Sequence, residues 1–169
     1  GVPARLLGFG LPLTLLAGFV VAVALLGELA WPEALVLAII LAPTDAALGQ
    51  AVVTMRRLPV RVRQSLNVES GLNDGICVPL FLIALAIAQA EEGAIGHGQA
   101  VQLVAEKIGY GAIAGAIAGA VVAVIVVYAG GHSLVSASWL QVVPLAGSAL
   151  AFGSAEAIGG SGFIAAFVG

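Results

Sequence analysis

Two short polar stretches interrupt an otherwise apolar chain: residues 41–45, Leu-Ala-Pro-Thr-Asp, and residues 69–75, Glu-Ser-Gly-Leu-Asn-Asp-Gly. Each stretch lies within an apolar run long enough to cross a membrane as a helix. A carboxylate near the centre of a bilayer costs roughly 2.5–3.5 kcal/mol, whereas a leucine is slightly favourable there. The acidic residues therefore require a functional or structural explanation for the free energy that their burial in the membrane costs. The apolar runs around them determine the fold.

The composition places the chain among membrane proteins. Of its 169 residues, 61% are hydrophobic and 9% are charged, whereas a soluble domain is nearer half apolar and a quarter charged. A hydrocarbon core about 30 Å thick needs roughly 20 apolar helical residues, and several such runs follow one another here. We therefore predict an all-α fold, a multi-pass transmembrane helix bundle.

Hydropathy predicts five spans and the start of a sixth. Their approximate ranges are Leu6–Gly27, Trp31–Met55, Arg63–Ala88, Val101–Tyr128 and Trp139–Phe152, followed by an incomplete run from Ser161. The first residue is Gly1 rather than Met, and the last apolar run stops early. We expect both ends to be missing from a longer protein.

The charges orient the chain and exclude some functions. Four of the six Lys and Arg residues crowd between spans two and three, namely Arg56, Arg57, Arg61 and Arg63, and cytoplasmic loops concentrate such residues. We therefore place residues 56–63 in the cytoplasm and the protein in the cell membrane. The net charge of −3 gives no reason to expect nucleic-acid binding. The single cysteine, Cys77, excludes an internal disulfide, and no cofactor is predicted.

The fourth span carries Gly111, Gly115 and Gly119 at four-residue spacing. Small residues at this spacing let two helix backbones approach closely in lipid. We favour packing between helices of the same chain over a dedicated dimer interface.

Two aspartates are predicted to lie near the middle of the membrane. Asp74 follows the start of span three by about eleven residues, or ~16 Å of helix rise, and Asp45 lies similarly deep in span two. Because the two spans are antiparallel neighbours joined by a short loop, the two carboxylates can meet at one depth. We interpret Asp74 as functional, whereas Asp45 could instead cap a broken helix.

Pro43 is expected to break span two just before Asp45. Proline has no N–H and clashes with the carbonyl four residues earlier, and the preceding residue, Ala42, is expected to be extended. Unwound backbone at membrane depth is tolerated only inside protein or beside a water-filled cavity. Freed carbonyls, the Thr44 hydroxyl and the Asp45 carboxylate would form an oxygen-rich patch of the kind that binds ions in secondary transporters.

Span three supplies a second group of oxygen ligands. Glu69 and Asn73 form one i,i+4 pair, Ser70 and Asp74 form another, and the two pairs occupy adjoining strips of one helix face. Oxygen donors without a cysteine or histidine cluster suit a hard cation rather than zinc or copper. For Glu69, near the cytoplasmic edge, a structural ion pair and ion ligation stay open as alternatives.

Taken together, the two stretches resemble the paired Thr-Asp and Asn-Asp motifs of NhaP-like sodium/proton antiporters, a family of monovalent cation/proton exchangers. The basic linker and residues 160–166, Gly-Ser-Gly-Phe-Ile-Ala-Ala, are also similar to that family. The resemblance covers nearly the whole chain, and two motifs on consecutive spans are specific. One departure is Ala46, where family members often have a proline after Thr-Asp.

The resemblance implies part of an inverted-repeat antiporter fold with a discontinuous helix. Residues 1–90 would form part of the ion-binding core, with three spans, and residues 91–169 part of the dimerisation side, with two spans and the start of a third. The implied function is secondary active transport, in which a monovalent cation, Na+ or K+, is exchanged for a proton by alternating access. The implied partners are the cation, the proton, the lipid bilayer and a second copy of the full-length protein in a homodimer.

The resemblance also implies roles for single residues. Asp74 would bind the cation and the proton in turn, one for one, and Ser70 and Thr44 would complete the monovalent cation site. The implied ion- and proton-binding residues are Asp74, Asp45, Thr44, Ser70, Glu69 and Asn73, with Asp45 at the helix break and Asn73 supporting the helix crossing.

Two other classes of function stay open at this point. Asp45 and Asp74 could be the dyad of an intramembrane aspartyl protease, although neither lies in a protease-type motif, or they could line a cation channel. We interpret the chain as a transporter and not as an enzyme. Coupling of cation flux to pH change separates an exchanger from a channel, and cleavage of a membrane peptide would reveal a protease.

Overall fold

The computed structural model describes residues 2–43, 55, 57–132 and 140–169, and these residues form helices and loops without any strand among them. The helices are α1 Val2–Arg5, a π-helical turn Leu6–Gly10, α2 Leu11–Leu25, α3 Trp31–Leu41, α4 Val60–Glu91, α5 His97–Gly131, α6 Val143–Ala157 and α7 Gly162–Val168. The predicted all-α class is confirmed. The chain divides into two compact units, Gly1–His97 and Gly98–Gly169.

Three helical stretches in the described part of the chain are long and apolar enough to cross a membrane: Leu6–Leu25, Val60–Glu91 and His97–Gly131. They correspond to predicted spans one, three and four. Predicted span five and the start of span six correspond to the shorter helices α6 and α7, and α3 forms the first part of span two, of which residues 44–54 lie outside the described residues. Helix α4 begins three residues earlier than predicted, so Arg61 and Arg63 lie in its first turn and not in the preceding loop.

The first span starts with a π-helical turn directly before Pro12. Pro12 has no N–H to donate to the carbonyl four residues earlier, and the neighbouring Leu11 N–H bonds to the carbonyl of Leu6, five residues back. A ring of this size is a π turn. It brings Leu11 into the core of the first unit.

The core of the first unit lies where α2, α3 and α4 meet. One cluster of buried apolar residues there comprises Leu11, Ile39, Ala42, Cys77 and Ala84. Gly18 permits the close approach of α2 to α3, because a Cβ at this position would lie 3.4 Å from the Ala38 Cβ. At the end of α3, Ile39 and Ala42 are buried, whereas Ile40 and Leu41 are exposed.

The core of the second unit depends on the glycines of α5. A Cβ added to Gly111 would lie 2.7 Å from the Ser161 carbonyl oxygen, and one added to Gly119 would lie 2.5 Å from the carbonyl oxygen of Gly169. Real Cβ atoms do not approach backbone this closely, so only glycine fits. This is the packing within one chain that the four-residue spacing predicts.

The start of α7 is held by two side chains. The Ser161 hydroxyl accepts a hydrogen bond from the Ile164 N–H at 3.4 Å, and the Glu156 carboxylate accepts one from the Gly162 N–H at 2.9 Å. Both bonds satisfy N–H groups that a helix cannot pair within its own first turn. Glu156 is therefore explained by helix capping.

Candidate functional site

Helix α3 ends at Leu41, as Pro43 predicts. Because Pro43 has no N–H, the carbonyl of Ile39 has no donor four residues later. It accepts instead from the N–H of Ala42, three residues later, at 3.4 Å. The last turn is thereby tightened to the 3₁₀ type, which is common at helix ends.

The conformation of Ala42 differs from the expectation. The residue was expected to be extended because a proline follows it, but it has φ −74° and ψ −34°, a helical conformation. Two hydrogen bonds hold it there: its N–H donates to Ile39, and its carbonyl accepts from the side chain of Asn73. Local repulsion from the proline is therefore outweighed by one hydrogen bond within α3 and one from the neighbouring helix α4.

Asn73 joins the middle of α4 to the end of α3. Its side chain is only 2% exposed. The Nδ2 group donates to the Ala42 carbonyl oxygen at 3.5 Å, and the Oδ1 atom accepts from the Cys77 Sγ at 3.4 Å. A carboxamide has a donor end and an acceptor end, and here each end meets a group of the complementary type.

The two polar pairs of α4 are arranged around a single buried strip. Ser70 and Asn73 are buried, Glu69 is half-buried and Asp74 is exposed. A helix turns by about 100° per residue, so Glu69 and Asp74 lie about 140° apart, one on each side of the buried strip. One residue of each pair, Asn73 or Ser70, therefore lies on the buried strip. The carboxylates of Glu69 and Asp74 lie at the two borders of that strip.

Thr44 and Asp45 lie outside the described residues, as does the predicted meeting of Asp45 with Asp74 at one depth. Within the described ranges, no three His, Cys, Asp or Glu side chains gather as a metal site would require. What this part of the site offers a cation is one accessible carboxylate, Asp74, about 40° around the helix from the Ser70 hydroxyl. Such oxygen ligands suit a hard cation.

Cys77 was not among the predicted site residues, yet it contacts Asn73 directly. The spacing contains the signal, because residues 73 and 77 are an i,i+4 pair and therefore lie on the same face of α4. A thiol is easily read as a small apolar side chain in a membrane span, which is why the sequence points to it only weakly.

The match to a known family extends over nearly the whole chain. A family model described as "Sodium/hydrogen exchanger, transmembrane" matches residues 3–169, which include both polar stretches and both compact units. No solved structure matches the chain.

Proposed function

This chain belongs to the sodium/hydrogen exchanger family, whose members transport cations and protons across a membrane, and we propose that it exchanges Na+ or K+ for a proton by alternating access. Asp74 is the proposed site at which the cation and the proton compete. A protonated carboxyl has no negative charge for a cation, and a carboxylate that holds a cation excludes the proton.

One observation carries this proposal: an accessible carboxylate, Asp74, borders the buried strip that Asn73 connects to the end of α3 beside Pro43. Helices interrupted at membrane depth are the structural basis of ion sites in secondary transporters. A carboxylate that only locked two helices together would be paired and enclosed. The exposure of Asp74 instead allows it to take up and release ions.

The remaining ligands are assigned by the same logic. Ser70 and Thr44 supply neutral oxygen atoms to the cation, Asp45 lies at the broken end of the helix, and Asn73 supports the crossing. Glu69, half-buried at the other border of the strip, either adds an oxygen ligand or forms an ion pair.

The architecture of the complete protein follows from the same proposal. Residues 1–90 belong to the ion-binding core and residues 91–169 to the dimerisation side of a homodimer. The protein lies in the cell membrane with residues 56–63 in the cytoplasm. Rocking of the loaded core then exposes the site to each side in turn.

The decisive experiment measures cation uptake and internal pH together in vesicles that contain the full-length protein. With the membrane potential clamped at zero, an inward Na+ or K+ gradient should drive proton efflux in a fixed ratio to cation uptake. Cation uptake that proceeds without a pH change and follows the membrane potential would show a channel and refute the exchange proposal.

A further inference from the structure

Three arginines lie at one end of the first unit: Arg5 at the end of α1, and Arg61 and Arg63 in the first turn of α4. The acidic residues near the loops lie at the other end of the same helices, and they are Glu28, Glu33, Glu91 and Glu92. Among the described residues, none of the three arginines forms an ion pair with a carboxylate. Their positive charge therefore has no counter-ion within this part of the chain.

Arg5 and Arg63 lie at nearly the same depth on helices that pack together. A Cβ at Gly18 would lie 3.4 Å from the Ala38 Cβ, and Asn73 bonds to the residue one turn further along α3. At about 1.5 Å of rise per residue, Arg5 lies about 20 Å from the level of Ala38 and Arg63 about 21 Å from it. Both distances run toward the end of α3, because α3 is antiparallel to α2 and α4. Since α1 also packs against α4, the two guanidinium groups can act on one ligand.

This level coincides with the surface of the membrane. Arg5 directly precedes Leu6, the first residue of a 20-residue apolar stretch that is long enough to cross a bilayer. Such a stretch matches a hydrocarbon core about 30 Å thick, so Arg5 lies in the headgroup layer. Helix α4 has 32 residues, which is longer than the core requires, and its first turn extends into the same layer.

The guanidinium group of Arg63 is not used by the protein as arginines usually are. Its Nε atom is buried and has no hydrogen-bond partner within the described part of the chain. An arginine that pairs with a carboxylate commonly does so through two parallel N–H bonds, and Arg63 makes no such pair. The residue as a whole is only half-buried, so an anion from outside the chain can reach it.

The start of α4 favours an anion for an independent reason. Pro59, the residue before the helix, supplies no side-chain cap, and the first turn contains no acidic residue. The free N–H groups and the dipole give a helix a partial positive charge at its start, which attracts anions and repels cations. Arg61 and Arg63 are therefore unfavourable at this position unless an anion binds between them and the helix.

We propose that Arg5, Arg61 and Arg63 bind the phosphate group of an anionic phospholipid. The planar guanidinium matches the geometry of a phosphate, and the depth of the three residues is that of lipid phosphates. The proposed placement of residues 56–63 in the cytoplasm puts this site in the leaflet that is rich in anionic lipid. The inference goes beyond cation exchange and does not involve Asp74.

The test is a lipid titration of the purified full-length protein in detergent, followed by the thermal unfolding midpoint. A ligand that binds the folded state raises this midpoint in proportion to its occupancy. Phosphatidylglycerol should raise it to a plateau, whereas the neutral lipid phosphatidylcholine and inorganic phosphate should have little effect. High salt should weaken the response, because it screens exposed charges. The measured quantity is the concentration of phosphatidylglycerol that gives half of the shift.

Single variants locate the site. Arg63→Gln should raise the half-saturating lipid concentration about tenfold, through the loss of charge-assisted hydrogen bonds. Arg5→Gln and Arg61→Gln, at exposed positions, should each raise it about threefold. Arg63→Lys keeps the charge without the two-pronged geometry and should lie between the wild type and Arg63→Gln. Arg57→Gln is the matched control, because it removes an exposed charge in the turn before α4 and should have a smaller effect than any of the three.

Three results would each overturn the inference. Equal effects of Arg57→Gln and Arg63→Gln would mean that the basic end attracts anionic lipid only in a general way. Equal stabilisation by inorganic phosphate would mean that the site binds a free anion, and an unaltered response in Arg5→Gln would mean that α1 takes no part. If Arg63→Gln does not fold, Arg5→Gln and Arg61→Gln still decide the question. Because the titration involves no transport, its failure leaves the exchange proposal unaffected.

Discussion

The side-chain amide of Asn73 lies 3.5 Å from the carbonyl oxygen of Ala42, 31 residues earlier in the chain. Ala42 is the last residue before the proline that ends α3, and Asn73 lies in the middle of the unbroken helix α4. The long helix α4 thus holds the end of α3. In lipid, where apolar contact alone gives helices little reason to associate, such a polar contact fixes their register.

Asn73→Ala should therefore destabilise the protein. The change removes the donor to Ala42 and leaves space around a buried position, which we expect to cost on the order of 1 kcal/mol. The measurement is the thermal unfolding midpoint of the full-length protein in detergent. Leu72→Ala, at the exposed neighbouring position, is the matched control, and equal midpoints for the two variants would contradict the role of this hydrogen bond.

Asp74→Asn should abolish ion exchange without unfolding the protein. The amide keeps the size of the side chain, but it carries no charge for a cation and cannot take up a proton. We expect at least a roughly tenfold loss of coupled cation and proton flux in vesicles. Glu91→Gln neutralises another exposed carboxylate at the end of the same helix and should leave the flux unchanged. Normal exchange by Asp74→Asn would refute the site assignment.

Competition at Asp74 also makes a prediction about pH. Because the proposed site holds either a proton or a cation, a higher proton concentration on the side from which the cation is taken up should raise the cation concentration needed for half-maximal exchange, while saturating cation restores the rate. Initial rates over a matrix of pH and cation concentrations test this. A maximal rate that falls with pH at an unchanged half-saturating concentration would indicate that proton and cation bind at separate sites.

The parts of the fold that depend on local chemistry could be predicted from the sequence. The apolar run near Arg63–Ala88 gives helix α4 within three residues at each end, because the length of apolar sequence sets the length of a membrane helix. The end of α3 at Leu41 follows from the missing N–H of Pro43. Both results need no knowledge of the neighbouring helices.

Features that depend on a distant partner could not be predicted. Ala42 remains helical because Asn73 binds its carbonyl, and no local rule contains that contact. The i,i+4 pairs of α4 identified the polar face, but not which strip of it would be buried. Polar side chains occur on all sides of the first half of α4, so the burial of Ser70 and the exposure of Asp74 are decided by where α3 packs.

Pro43→Ala should stabilise the protein and slow exchange. Alanine restores the N–H that the Ile39 carbonyl lacks at the four-residue spacing, and an interior proline costs a helix about 3 kcal/mol relative to alanine. A longer α3 would remove the break on which the proposed ion site depends. We expect a higher thermal midpoint together with a lower maximal exchange rate in vesicles.

Pro79→Ala is the control for that change, since Pro79 lies inside the uninterrupted helix α4. Its replacement also restores a backbone donor, but it should leave the exchange rate close to that of the wild type. If Pro43→Ala exchanged ions as fast as Pro79→Ala, the broken end of α3 would not be needed for transport.

Two glycines of α5 should respond to alanine with opposite signs. A Cβ at Gly115 would lie 2.8 Å from the Ala165 Cα, in backbone that cannot move aside, whereas a Cβ at Gly109 would meet no atom within 4 Å. Gly115→Ala should therefore lower the stability by about 1–3 kcal/mol through overpacking. Gly109→Ala should raise it by roughly 0.5–1 kcal/mol, because alanine is the better helix former. The measurement is the thermal unfolding midpoint of each single variant in detergent. Shifts of the same sign would mean that α5 and α7 do not pack together along Gly111, Gly115 and Gly119.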